Sequence, residues 1–119
     1  MIVFKADLLC YLLDKYGERF YKALTSYHEM PISNLVVSTK NGLEISASVK
    51  GSQSEYACYF GDDGYFCSCI DHTVRKTVCK HIFAMLLYSI DKGEVKMEEV
   101  LKRLIVLPQP KNKREGGEK

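Results

Sequence analysis

Three of the five cysteines stand within thirteen residues, at Cys67, Cys69 and Cys79, and His81 follows the last by two positions. The pattern is Cys-x-Cys, nine intervening residues, then Cys-x-His. Thiolate sulfur and imidazole nitrogen in two such pairs suit one tetrahedral zinc ion. A complete Cys3His set leaves no coordination position for a substrate, so the expected ion is structural and not catalytic. A Cys79–His81 nucleophile pair is the enzymatic alternative. It leaves Cys67 and Cys69 without a role and lacks a third group to orient the base. His72, between the two pairs, competes with His81 as fourth ligand or supports the site from behind. His81 is preferred because Cys79 completes a pair with it.

The spacing dictates the local backbone. Residues i and i+2 of a strand point to the same side, so Cys67 and Cys69 can converge as a strand ends. In a helix, i and i+2 lie about 200° apart and cannot converge. Cys79 must therefore stand at or before a helix cap, with His81 in the first turn and Thr77 or Cys79 in the capping region. A helix start also favours the anionic centre that three thiolates and a divalent ion would leave. Arg75, Lys76 and Lys80 flank it and offset the remainder. Cys10 and Cys58 follow the apolar periodicity of their segments and are expected as core thiols, and His28 as a polar face residue.

The surrounding elements read as an α+β chain. Leu9, Leu12, Leu13, Tyr16, Phe20, Leu24 and Tyr27 recur at helical steps over 6–28, with a break or kink expected at Tyr16–Gly17 and a stop at Pro31. Leu35 to Thr39 is strand material, and Asn41-Gly42 signals a type I′ hairpin turn. Leu43, Ile45, Ala47 and Val49 alternate with polar residues as a half-buried strand. Gly51 to Ser54 is a turn, Glu55 to Phe60 a third strand, Gly61 to Gly64 a turn, and Tyr65 to Cys67 a fourth strand. This is a three- to four-stranded antiparallel meander. A polar loop over 71–77 precedes a helix starting near Cys79, with Ile82, Met85, Leu86, Ser89 and Ile90 inward, Phe83 and Leu87 in support, and Gly93 as its stop. A third helix is expected over Glu94 to Val106, ended by Pro108 and Pro110.

The domain expected is a single zinc-binding unit over 1–110: a helical segment 5–28, a core 43–91 and a C-terminal helix 94–107. Residues 111–119 read as a flexible basic tail. The 119 residues are 46% hydrophobic and 27% charged, which excludes wholesale disorder. No apolar run approaches the roughly 20 residues of a membrane span. Lys5, Asp7, Asp14 and Lys15 interrupt any secretory apolar core, and an odd cysteine count argues against a disulfide framework. An intracellular protein is expected.

Cys-x-Cys, a short spacer and Cys-Lys-His, after a β-meander and at the start of a helix, resembles the SWIM zinc finger family over roughly residues 43–91. Cys67, Cys69, Cys79, Lys80 and His81 carry the resemblance, helped by the strand around Cys58 and the helix Ile82 to Leu87. It implies a ββα zinc-bound core and a DNA-binding or protein-interaction role. Ala84, three residues after His81, gives Cys-x-His-x-x-Ala. This resembles the Shu-complex SWIM proteins, which pair with recombinase paralogs, and small stand-alone archaeal SWIM proteins. Physically, a small residue one turn beyond the histidine lets helix and sheet approach closely. No helicase, transposase, kinase or phosphate-loop signature is present.

Two functions follow. The first is an interaction module in DNA recombination or repair that docks a protein partner, a recombinase paralog by resemblance, through its first and third helices. Tyr11 and Tyr21, off the main helical stripe, motivate it. The second is direct nucleic-acid binding. Residues 1–74 carry net −3 and residues 75–119 net +5. Arg75, Lys76, Lys80, Lys102, Arg103, Lys111, Lys113 and Arg114 could contact phosphates, and Tyr56, Tyr59 and Tyr65 could stack bases. Cross-strand packing is the plainer role for those tyrosines. No membrane and no small-molecule substrate are expected.

Overall fold

A computed structural model describes residues 6–51 and 54–107. The expected prolines 108 and 110 and the basic tail, with Lys111, Lys113 and Arg114, lie outside the described residues, as do Ser52 and Gln53 of the expected turn. The chain is α+β, with elements α1 (Ala6–Tyr16), α2 (Glu18–Ser26), a 3-10 turn (Tyr27–Glu29), β1 (Ile32–Ser38), β2 (Glu44–Lys50), β3 (Glu55–Gly61), β4 (Gly64–Cys67), α3 (Ile70–Arg75), α4 (Lys80–Asp91) and α5 (Met97–Val106).

The N-terminal stripe forms two helices, not one. Gly17 adopts φ 65°, which glycine takes without penalty, and the chain turns there. Leu12, Tyr16, Phe20 and Ala23 are buried across the break. Cys10, expected in the core, is exposed. It sits about 200° around α1 from Leu12, on the opposite face.

The four strands form one antiparallel sheet in the order β1-β2-β3-β4. Ile45, Ala47 and Val49 of β2 and Cys58 and Phe60 of β3 face inward, following period-2 alternation. The first hairpin departs from the expected two-residue turn. Ser38 pairs with Glu44, so five residues close the loop. Asn41 is not in the left-handed region that a type I′ turn requires of it; only Gly42 is, at φ 92°. A Cβ at Gly42 would also push the Asp62 carboxylate aside. The left-handed residue of β1 is Asn34, φ 57°, at a bulge between Ser33 and Val36.

α4 is the centre of the molecule. Residues 81–87 are all buried, because the sheet covers one side of α4 and α2 the other. Phe83 receives Tyr16 and Phe20 edge-on, with ring centroids 5.0 and 5.3 Å away, a favoured aromatic geometry. Gly93, φ 77°, follows the Lys92 cap and ends α4, as expected. The last helix starts at Met97, three residues later than expected. Its C-terminal carbonyls are held by α1: Lys15 Nζ lies 3.0 Å from the Leu104 oxygen and 2.9 Å from that of Ile105, and Tyr16 Oη donates to Leu104 at 2.7 Å. A cation at a helix C-terminus meets its partial negative charge.

Candidate metal centre

β4 ends at Cys67, and the chain leaves the sheet through Ser68 to Cys69, which caps α3. Cys79 caps α4, with extended backbone at φ −91°, ψ 172°, and His81 lies in the first turn. This is the strand-end and helix-start arrangement that the two i, i+2 spacings require. The donor atoms of Cys67, Cys69, Cys79 and His81 all lie within 4.8 Å of one another, and all four residues are buried. His81 presents Nδ1, 3.9 Å from Cys67 Sγ and 3.9 Å from Cys79 Sγ. Zinc bond lengths in a tetrahedron set donor–donor edges of about 3.5–3.8 Å. The four residues therefore need only a slight contraction to enclose one ion, and together they could hold a metal.

The expected polar loop between the pairs is partly helical. α3 escapes a periodicity reading because it spans six residues and exposes its apolar ones, Ile70 at 79% and Val74 at 65%. Lys76, φ 56°, terminates it in the left-handed region. His72 is not among the converging donors. Its Nδ1 lies 2.8 Å from the Thr77 carbonyl oxygen, and its ring meets those of Tyr65 and Phe66 edge-on. It contributes through its backbone, where the His72 N–H donates to Cys69 Sγ at 3.4 Å. The amides of Cys69 and Ile82 likewise favour the ionised forms of Cys67 and Cys79.

Burial and sulfur–sulfur contact oppose that ionisation. The Cys67 thiol is pushed up chiefly by its hydrogen bond with Cys58, the Cys79 thiol by its contact with Cys67, and the Cys69 thiol by desolvation. Burial, and then Lys80, push His81 down to about 4, so its imidazole is neutral at pH 7 and keeps a lone pair for a metal. Any cation must displace the thiol protons, which couples its binding to pH.

Five residues around the centre were not singled out as its neighbours from sequence. The Tyr56 ring stacks on His81, centroids 4.4 Å apart. Gly51 closes over the same imidazole: a Cβ there would come within 3.1 Å of Nε2 and 2.8 Å of the Tyr56 ring. Arg19 of α2 grips Asp71 of α3 and so ties the segment between Cys69 and Cys79 to the N-terminal helices. Cys58, buried as expected, places its sulfur 3.6 Å from that of Cys67. That neighbour was legible in principle, because a two-residue turn at Asp62-Asp63 sets Cys58 opposite Cys67.

The candidate phosphate contacts fall into two groups. Lys76 and Lys80 are exposed and form no ion pair among the described residues, while Arg75 bonds Asp71 at 3.1 Å. Arg103 is engaged by Asp62 and Glu99, and Lys102 by Glu99 at 3.4 Å. The three candidate stacking tyrosines do not share a face. Tyr59 pairs with Phe66 and Ser46 on the outer side of the sheet, whereas Tyr56 and Tyr65 pair with the inward-facing Val49 and Phe60. Among the described residues no helix is long and apolar enough to cross a membrane.

Fold and site together define an α+β protein with a candidate Cys3His metal centre at the junction of sheet and central helix. Comparison with protein-family models, with curated proteins and with solved structures returned no match.

Proposed function

We propose that this chain is a SWIM-type zinc module, in which one structural zinc ion on Cys67, Cys69, Cys79 and His81 fastens the end of the sheet to the start of α4. The observation that carries this reading is the convergence of four buried donors in the order Cys-x-Cys, Cys-x-His. Three thiolates and one imidazole match zinc better than harder cations, which take oxygen ligands. They also fill its tetrahedron, so the ion supports a fold and does not act on a substrate.

On this rigid support the chain works as an interaction module in DNA recombination or repair and docks a recombinase paralog. The resemblance of Cys79-Lys80-His81 and Ala84 to the Shu-complex proteins motivates the partner class. Exposed Tyr11 and Tyr21 on the N-terminal helices, at 43% and 56%, are its candidate anchors. The test is elemental analysis of the purified full chain, together with a pull-down against a recombinase paralog. One zinc per chain and a stoichiometric complex weakened by Tyr11→Ala and Tyr21→Ala are expected. A chain without zinc refutes the metal reading, and failure to retain the paralog refutes the partner.

A second reading, direct nucleic-acid binding, is favoured by exposed Lys76 and Lys80 beside the centre, which form no ion pair among the described residues. It predicts affinity that falls steeply with salt and is lost when Arg75, Lys76 and Lys80 become Glu.

A further inference from the structure

Cys58 is not needed by the four-donor set, yet its sulfur touches a member of that set. We propose that Cys58 and Cys67 are a redox modification site: a hydroperoxide links them as a disulfide, which withdraws Cys67 from the metal and opens the centre. The proposal rests on the zinc reading above for its consequence, but not for the linkage itself.

Geometry selects this pair. Cys58 and Cys67 are directly opposed residues of the β3–β4 ladder, with their sulfurs 3.6 Å apart. Opposed residues of antiparallel strands have Cα atoms about 4.5–5.5 Å apart, inside the range a disulfide spans. With a metal bound, the sulfurs of Cys67, Cys69 and Cys79 are all ligands. Cys58 then keeps the one thiol next to a ligand that no metal bond occupies. The rung lies at the end of β4, a four-residue strand at the sheet edge. Both thiols are buried, so a small oxidant reaches them only through a local opening of this edge.

The chemistry balances without a further reagent. The Cys67 thiolate attacks the terminal peroxide oxygen; the S–O bond forms, the O–O bond breaks, and the departing alkoxide, or hydroxide when the oxidant is hydrogen peroxide, takes a proton from solvent and leaves as an alcohol or as water. Cys67 is then a sulfenic acid. The Cys58 thiol attacks that sulfur; the S–S bond forms, the S–O bond breaks, and hydroxide departs as water with the Cys58 proton. The two sulfurs lose two electrons in total, and the peroxide gains them. The ion is left with Cys69, Cys79 and His81. A dithiol reductant restores both thiols and the fourth ligand.

The experiment uses the full chain loaded with zinc and treated with hydrogen peroxide, with free thiols then capped. Asp62 and Asp63 lie between the two cysteines, so cleavage before aspartate puts Cys58 and Cys67 on separate peptides that only a disulfide joins. Fragmentation then separates Cys67 from Cys69. The expected result is a Cys58–Cys67 linked peptide that rises in step with released zinc, both reversed by dithiothreitol. Cys58→Ser should bind zinc, lose the linked peptide and lose reversible release. Linkage confined to Cys67, Cys69 and Cys79, or the same reversible release from Cys58→Ser, overturns the proposal. A chain that takes up no zinc refutes the metal reading alone, and the mapped linkage then still decides the disulfide.

Discussion

The Arg19 guanidinium holds the Asp71 carboxylate with two parallel bonds, Nε to Oδ2 at 2.7 Å and Nη2 to Oδ1 at 3.0 Å. It joins α2 to α3 across fifty-two positions of sequence. Bidentate charge-assisted pairs are the stronger kind of ion pair. The two side chains are about a third exposed, so solvent screening limits the gain to about 1 kcal/mol. Arg19→Ala should lower unfolding stability by about that amount and weaken metal retention, because the loop between Cys69 and Cys79 loses its tether. A double-mutant cycle with Asp71→Ala, read by chemical denaturation, should show a coupling of the same size.

Replacing any donor should remove the metal. Cys67→Ser, Cys69→Ser, Cys79→Ser and His81→Ala are each expected to unfold the 65–91 region, since structural zinc in finger peptides supplies roughly 10–16 kcal/mol of apparent binding free energy. Cys10→Ala, on the exposed face of α1, should keep full metal content. Elemental analysis and amide exchange over residues 65–91 check both statements, and a strong chelator should reproduce the ligand variants.

Ala84 is fully buried one turn beyond His81. Ala84→Leu should cost about 1–3 kcal/mol through overpacking, seen as a lower thermal midpoint with metal content unchanged.

Gly51→Ala should act on the metal and not on the core. Its new Cβ must displace the Tyr56 ring or the His81 imidazole, and a ligand held off its productive angle binds more weakly. The expected result is about a 10-fold loss of metal affinity in a competition titration with a zinc chelator.

Acid should loosen α5. Asp62 accepts from Arg103 and from the Leu43 amide, which holds its pKa below the ordinary 3.8; Arg103 and Lys102 hold Glu99 below 4.5. Depressed carboxylate pKa values add stability that is present above the ordinary values and lost as pH falls through the folded ones. The gap in denaturation midpoint between the native chain and Asp62→Asn should therefore persist at pH 7 and close below about pH 4.

The donor set, the cap at Cys79, the break at Gly17 and the inward faces of β2 and α4 were legible in the residue order. Each rests on local geometry: a period of 2 or 3.6, a spacing that only one backbone state can satisfy, or a residue free to adopt positive φ. Tertiary packing decided the rest. Whether His72 or His81 meets the sulfurs depends on a carbonyl, that of Thr77, which captures the His72 ring. The helical turn α3 has no apolar face toward the core and is held by ion pairs and caps, so no periodicity announces it. Cys10 and Cys58 both fit an apolar pattern, yet one faces solvent and the other touches a sulfur of the candidate donor set. A pattern names a face, but only the packed neighbours determine what lies against it.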